Sequence, residues 1–267
     1  MKTLYVTDLD GTLLTKDQVV SEYSKRVINE LVDNGMLFTY ATARSLETAS
    51  MVTKGLKVSA PRVLYNGGFI RNADDSLLIA HTFENRAESI IADLIGEGVS
   101  PIVYALIDGQ EKFSFIPEKQ SRAAADFNKT RETCARYNPV KTERELLCGD
   151  IFYITCIDDR EKLAPFYEKY KNDYYCVYST DIYSGDQWLE IIPKAATKAN
   201  ALLEIKRMMD CRLVVFGDGK NDLEMFNVAD ECYAVENAVP ELKAIATAVI
   251  PSNTDDGEAK QLLKLLS

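Results

Sequence analysis

The feature that most constrains the fold is an alternation of short apolar runs with amphipathic helical patterns at both ends of the chain. In the first third, the apolar runs and helical patterns alternate in the order 4–6, 21–34, 36–41, 45–54 and 63–65. The alternation returns after residue 187, with strands expected at 188–192, 212–216, 231–234 and 247–250. Buried strands that alternate with helices form parallel sheets covered on both faces. We therefore expect an α/β fold with a doubly wound, Rossmann-like parallel sheet core.

The middle of the chain has a different pattern, which indicates an inserted α+β cap domain. A hairpin is predicted at 69–83, and the block that follows mixes helical patterns (86–95, 119–136, 160–170) with strand patterns (101–107, 111–116, 150–157, 174–179). We predict a core formed by residues 1–83 and 187–267 and a cap formed by residues 84–186. The aromatic residues of this block are expected to pack in its own core: Tyr104, Phe113, Phe115, Tyr178 and Tyr183.

Composition excludes several classes of function. The 267 residues include 31 basic and 41 acidic side chains, a net charge of −10, so the chain lacks the basic surface that nucleic acids and anionic membranes attract. No apolar stretch reaches the roughly 18 residues of a membrane span. The six cysteines have no C-x-x-C spacing, which argues against a zinc site and favours free thiols in a reducing cytosol. We expect a cytoplasmic protein without a nucleic-acid or membrane partner.

Acidic residues follow two of the predicted strands. Asp8 and Asp10 come directly after the first strand, and Asp218 and Asp222 follow the strand at 212–216. Either loop alone would be explained as an Asp-Gly turn or a helix cap. Two acidic loops at the carboxyl ends of one parallel sheet would repel each other without a cation between them. We therefore predict a Mg²⁺ site formed by Asp8, Asp10 and Asp218.

A magnesium site at a sheet edge suggests an anionic substrate. Thr42 lies at the end of the second predicted strand, where its hydroxyl and the neighbouring amides can point into the same pocket. Lys198 opens a helix that follows another strand, and it adds a positive charge beside the acids. Each of these residues alone has an ordinary structural explanation, and only their combination at several strand ends supports a site.

These segments together resemble the haloacid dehalogenase-like hydrolases. The segment Asp-Leu-Asp-Gly-Thr-Leu at 8–13 is similar to the first motif of that family, and Thr42, Lys198 and Gly-Asp-Gly-Lys-Asn-Asp at 217–222 match the second, third and fourth. All four occur in the family's order. The form of the fourth motif, Asn-Gly-Gly at 66–68 and the long insertion resemble the Cof-type sugar-phosphatase branch.

The resemblance implies a role for each matched residue. Asp8 would be the nucleophile that forms an aspartyl-phosphate, and Asp10 would protonate the leaving oxygen and then activate water. Mg²⁺ would be held by Asp8, Asp218 and the main-chain carbonyl of Asp10, with Asp222 nearby. The phosphoryl group would be held by Leu9, Thr42, Ala43, Lys198 and Asn221. Ala43 stands where the branch usually has glycine, which matters only if the backbone there needs a positive φ.

The resemblance implies a Mg²⁺-dependent phosphatase that acts on a small phosphorylated metabolite, such as a sugar phosphate, with a cap that selects the substrate. A phosphomutase of the same family remains open. A phosphoacceptor signalling domain or a silent binding module is a further alternative, although a receiver domain lacks an acid two residues after the phosphorylated aspartate, where this chain has Asp10. The sequence leaves the physiological substrate and the oligomeric state open.

Overall fold

The computed structural model describes residues 2–181 and 184–266. The chain divides into two compact units. One, here called the core unit, combines Met1–Ala80 with Ala196–Ser267, and the other, the inserted unit, comprises His81–Ala195.

The secondary structure follows the predicted order of strands and helices with several changes. The strands are β1 (Lys2–Thr7), β2 (Leu37–Tyr40), β3 (Arg62–Leu64), β4 (Phe69–Arg71), β5 (Leu77–Ala80), β6 (Ile102–Ile107), β7 (Gln110–Phe115), β8 (Tyr137–Pro139), β9 (Asp150–Asp158), β10 (Tyr175–Thr180), β11 (Gln187–Ile192), β12 (Cys211–Gly217), β13 (Glu231–Val235) and β14 (Ala248–Ile250). The α-helices are α1 (Glu22–Asp33), α2 (Leu46–Val52), α3 (Ala87–Gly96), α4 (Arg122–Lys129), α5 (Arg160–Tyr170), α6 (Lys198–Met209), α7 (Leu223–Val228), α8 (Pro240–Ile245) and α9 (Gly257–Leu266). Within the described ranges, none of these helices combines the length and apolar composition that crossing a membrane requires.

The core unit contains the predicted parallel sheet. Its strand order is β14-β13-β12-β1-β2, and every neighbouring pair is parallel. The chain leaves β1 towards β2 on one side and later returns to β12 on the other side. The order of strands therefore reverses between β1 and β12, and ligands of open α/β sheets bind at the carboxyl ends of strands at such a point. This sheet confirms the predicted α/β fold with a parallel core.

Burial explains why the strands and helices form where they do. Leu4 and Val6 of β1 are completely buried, and each such side chain contributes about 1.5–3 kcal/mol relative to an exposed position. In α1, the Ser21 side chain accepts a hydrogen bond from the Ser24 amide and caps the helix. The buried residue Ile28 lies on the apolar face of this helix. The first strand and helix of the core unit thus form because both bury apolar side chains and because the helix start is capped.

The third apolar run is not a strand of the main sheet. Val63 forms only a single parallel bridge with Ala41, and β3 pairs with β4 in a separate antiparallel sheet of order β3-β4-β5. The predicted hairpin is confirmed as β4 and β5. Tyr65 and Asn66 have φ values of 51° and 54°, which turn the chain back on itself after β3.

The inserted unit is built on a six-stranded sheet of order β10-β11-β9-β6-β7-β8. Its pairs are antiparallel except for β7 and β8. One apolar cluster includes Leu94 of α3 and Leu163 of α5, and a second one includes Phe113, Phe115 and Ala124 of α4. Tyr104 and Tyr178 are partly buried against these clusters. The prediction for Tyr183 falls outside the described residues.

The strand predicted at 188–192 belongs to the inserted unit, not to the core. As β11 it pairs with β9 and β10, and its residues Leu189 and Ile191 are completely buried in the first cluster of that unit. The second passage between the units therefore lies at Ala195 and not at residue 187. A period-two pattern indicates a half-buried strand, but it does not tell which sheet the strand joins.

The helix predicted at 119–136 is much shorter than expected. α4 ends at Lys129, and the Arg131 amide then donates to the Asn128 carbonyl at 2.9 Å and closes a turn. The Arg131 guanidinium lies 3.6 Å from the centroid of the Phe127 ring, which stabilises the turn by a cation–π contact. The chain then continues into β8.

We predict that Gly67→Ala destabilises the core unit more than Gly35→Ala does. Both glycines have a positive φ, of +108° and +96°, which costs an alanine about 1–2 kcal/mol. A Cβ at Gly67 would also collide with the backbone of Thr197, whereas nothing lies within 4 Å of a Cβ at Gly35. Overpacking of this kind costs about 1–3 kcal/mol more.

The free energy of unfolding is measured in urea by far-UV circular dichroism, because the chain's single tryptophan, Trp188, lies in the inserted unit. If the two variants lost equal free energy of unfolding, Gly67 would not pack tightly against Thr197.

Candidate active site

Asp8 lies directly after β1, at the point where the strand order reverses. Its backbone amide donates to the Phe216 carbonyl of β12 at 3.0 Å, which ties the start of this loop to the neighbouring strand. The Asp8 side chain is almost completely buried. Gly11 has a φ of +79°, and a Cβ there would collide with the Asp218 carboxylate. The glycine therefore lets the first acidic loop approach the second.

The second acidic loop is held together by Asp222. The Asp222 carboxylate is completely buried, and its Oδ2 accepts hydrogen bonds from the amides of Asp218 and Gly219, both at 3.0 Å. Asp218 follows β12 and is partly buried, and its Oδ1 accepts a hydrogen bond from the Thr12 hydroxyl at 2.8 Å. Thr12 thus connects the two loops.

Three carboxylates meet around one lysine. Ligand oxygens of Asp8, Asp218 and Asp222 all lie within 4.8 Å of one another. Lys198, the first residue of α6, is buried, and its Nζ donates to Asp8 Oδ1 at 2.7 Å and to Asp222 Oδ1 at 2.8 Å. We call these four residues the acidic cluster. With all three acids ionised, the cluster would carry three negative charges against one positive charge.

Burial changes the protonation of the cluster. Burial raises the pKa of Asp8 to about 8, although Lys198 acts in the opposite direction. Burial also raises the pKa of Asp218 to about 6, while the hydrogen bond from Thr12 opposes the shift. Burial alone would lower the pKa of Lys198, but the carboxylates of Asp222 and Asp8 outweigh it and raise that pKa. The cluster therefore favours a bound cation or proton over three bare carboxylates.

The carboxylate of Asp10 does not belong to the acidic cluster. It accepts two hydrogen bonds from the Arg44 guanidinium, from Nε at 2.8 Å and from Nη2 at 2.6 Å. These bonds raise the pKa of Arg44. The side-chain cluster therefore contains Asp222 beside Asp8 and Asp218, and the Asp10 side chain pairs with Arg44. A metal site that includes the Asp10 main-chain carbonyl stays a prediction.

The remaining predicted site residues lie on these two loops and on the loop that follows β2. Leu9 is completely buried next to Asp8, and Asn221 is exposed beside Asp222. Thr42 is buried after β2, and its hydroxyl accepts a hydrogen bond from the Arg44 amide at 3.2 Å. Ala43 is exposed and is not among the residues with a positive φ, so alanine fits the backbone where glycine was expected.

The sequence pattern around two residues near the acidic cluster does not mark them as site residues. Thr12 belongs to the first motif, but its bond to Asp218 depends on the fold. Glu258 lies at the start of α9 and is buried, which raises its pKa to about 8. Its Oε2 accepts from the Thr7 hydroxyl at 2.6 Å, and that hydroxyl also lies 2.6 Å from the Asp8 carbonyl. No local pattern links Glu258 to β1.

Comparison with known proteins identifies the family. The sequence model of the haloacid dehalogenase-like hydrolases matches residues 5–262. The chain is 29% identical to the 5-amino-6-(5-phospho-D-ribitylamino)uracil phosphatase YwtE of Bacillus subtilis, over 97% of this chain and 96% of that protein. It is 28% identical to the phosphatase YitU of the same organism, named for the same substrate, over 99% and 97% of the two chains.

Solved structures with a similar fold include members of the same family. The crystal structure of TM0651 from Thermotoga maritima is similar with a TM-score of 0.82 and 26% identity, over 99% of this chain and 97% of that one. A haloacid dehalogenase-like hydrolase from B. subtilis has the same fold, with a TM-score of 0.77, 21% identity and coverage of 99% and 100%. Because the family match spans nearly the whole chain, the protein belongs to the haloacid dehalogenase-like hydrolases, as its motifs indicated, and is an enzyme of the phosphatase type.

Proposed function

We propose that the protein is a Mg²⁺-dependent phosphatase that hydrolyses a small phosphorylated metabolite through an aspartyl-phosphate on Asp8. The observation that carries this proposal is the buried Asp8 carboxylate at the reversal point of the sheet. It lies beside Asp218 and Asp222 and is hydrogen-bonded to Lys198. A nucleophilic carboxylate, a cation-binding set of oxygens and a fixed positive charge are the groups that phosphoryl transfer needs.

The residues fit a magnesium ion. Three carboxyl groups lie beside one ammonium group, two of these acids and the lysine are buried, and every side-chain donor of the three acids is a hard oxygen. Hard divalent cations prefer such ligands, whereas zinc and copper sites use nitrogen and sulfur. Asp8, Asp218 and the main-chain carbonyl of Asp10 would hold the ion, with Asp222 supporting them. When bound, the ion would neutralise negative charge on the phosphoryl oxygens during transfer.

The reaction then divides into two steps. In the first step, an Asp8 carboxylate oxygen attacks phosphorus, the bond to the leaving oxygen breaks, and Asp10 gives that oxygen a proton. In the second step, Asp10 takes a proton from water, the water oxygen attacks phosphorus, and inorganic phosphate and the Asp8 carboxylate are released. Lys198, the Thr42 hydroxyl, the amides of Leu9 and Ala43, and Asn221 would bind the phosphoryl oxygens during both steps.

We propose that the inserted unit selects the substrate and that the substrate is a sugar phosphate or a similar polyol phosphate. YwtE and YitU are named for a phosphorylated ribityl chain, which is a polyol phosphate. At 28–29% identity, these relatives support the class of substrate and not that particular compound.

We also propose a cytoplasmic location, because the six cysteines are free thiols.

The function is tested by measuring phosphate release from a panel of phosphate monoesters. The panel contains hexose and pentose phosphates, 5-amino-6-(5-phospho-D-ribitylamino)uracil and nitrophenyl phosphate. We expect release from some members in the presence of Mg²⁺, none after chelation, and recovery when Mg²⁺ is restored. The folded Asp8→Asn variant should release none, because an amide cannot form an acyl phosphate. Full release after chelation would contradict the metal requirement, and release by Asp8→Asn would contradict the nucleophile.

Asp10→Asn should slow the release of alkyl alcohols more than the release of nitrophenolate. Proton transfer by a placed side chain contributes about 10²–10⁴-fold to the rate, and nitrophenolate needs less protonation when it leaves. The second step should also slow, so the phosphoenzyme should accumulate with nitrophenyl phosphate. Rapid-quench kinetics with the two kinds of ester measure both effects. Parent rates with alkyl phosphates would exclude acid–base catalysis by Asp10.

A further inference from the structure

Arg44 makes a contact that none of the roles above explains. It follows β2 by four residues, and its Nε and Nη2 donate to the two oxygens of the Asp10 carboxylate. Its Nη2 also donates to Gln18 Oε1 at 3.1 Å. The Arg44 side chain is 19% exposed and the Asp10 side chain 51% exposed. A mostly buried guanidinium thus holds a carboxylate that is half open to solvent.

The geometry of this contact goes beyond that of an ordinary surface ion pair. Exposed pairs are worth little, and many join flexible side chains through one oxygen and one nitrogen. Here two hydrogen bonds fix the direction and the plane of the carboxylate, which a lysine ammonium would not do. The bond to Gln18 in turn orients the guanidinium.

Asp10 has few other restraints. It lies in the loop Leu9–Leu13, which turns at Gly11, and its carboxylate is bonded to Arg44 and is not grouped with the carboxylates of the acidic cluster. A half-exposed aspartate without a partner would sample several rotamers. General acid–base catalysis needs the carboxyl oxygen within hydrogen-bond reach of the proton that it transfers. The pair with Arg44 supplies the missing restraint.

We propose that Arg44 is a positioning residue that holds the Asp10 carboxyl group in the orientation from which it exchanges protons with the leaving group and with water. This role rests on the proposed phosphatase mechanism. It does not require Arg44 to touch the substrate. A misplacement of about 1 Å at a reacting group can lower a rate by about 10²-fold.

The test is a double-mutant cycle on kcat with an alkyl phosphate from the panel. The four proteins are the parent, Arg44→Ala, Asp10→Asn and the double variant. If Arg44 acts through Asp10, Arg44→Ala lowers kcat by about 10- to 100-fold in the parent and causes no further loss in the Asp10→Asn background. KM should change much less than kcat in Arg44→Ala.

Two further variants complete the design. Arg44→Lys keeps the charge but not the two parallel bonds, so it should recover only part of kcat, and it replaces Arg44→Ala in the cycle if the alanine variant fails to fold. Lys57→Ala is the matched control, since it removes an exposed cation that pairs with Asp33 in the core unit, and it should leave kcat unchanged.

Equal losses of kcat in the two backgrounds would overturn the role of Arg44. A rise in KM with unchanged kcat would also overturn it, because that result assigns Arg44 to substrate binding. Both results apply when the parent enzyme is active and the substitution Asp10→Asn lowers its kcat. A parent that releases no phosphate from any ester would instead overturn the proposed function itself, and the role of Arg44 with it.

Discussion

The grouping of three carboxylates, two of them buried, beside a single buried lysine is the interaction on which the rest of this structure depends. An ionised carboxylate loses several kcal/mol of hydration when it is buried, and a partner must restore that loss. Lys198 bonds to Asp8 and Asp222, two backbone amides bond to Asp222, and the Thr12 hydroxyl bonds to Asp218. The remaining negative charge has no protein partner of opposite sign within the cluster. The three acids could therefore hold a cation at this edge of the sheet.

The topology of the sheet brings these groups together. β1 and β12 are parallel neighbours, so the loops that follow them start side by side. Gly11 and Gly217 leave room at the closest approach, because a Cβ at either position would meet a carboxylate of the opposite or the same loop. The lysine arrives from a third element, at the start of α6. Each loop alone would be an ordinary turn, and the site exists only because the strand order reverses at this point.

Much of this arrangement could be predicted from the sequence, since strand–helix alternation and the acidic loops are local patterns. The parallel sheet and the meeting of Asp8 with Asp218 follow from the rule that parallel strands end at one edge. The sheet that β11 joins was predicted wrongly, because the alternating pattern around the buried Leu189 and Ile191 indicates a strand but not the sheet to which it belongs. The bond between Arg44 and Asp10 joins residues 34 positions apart, and no spacing in the sequence reveals it. The contact of Thr7 with Glu258 joins residues 251 positions apart, beyond any local pattern.

In the proposed mechanism, Asp8 carries the phosphoryl group between the two steps. Sodium borohydride reduces an aspartyl-phosphate to homoserine, so quenching the enzyme during turnover marks the modified residue permanently. We predict that peptide mass spectrometry of the quenched enzyme finds homoserine at position 8, that Asp10→Asn increases its yield with nitrophenyl phosphate, and that Asp8→Asn shows none. Homoserine at a different aspartate, or steady release of phosphate with no reduced residue in any peptide, would contradict the account.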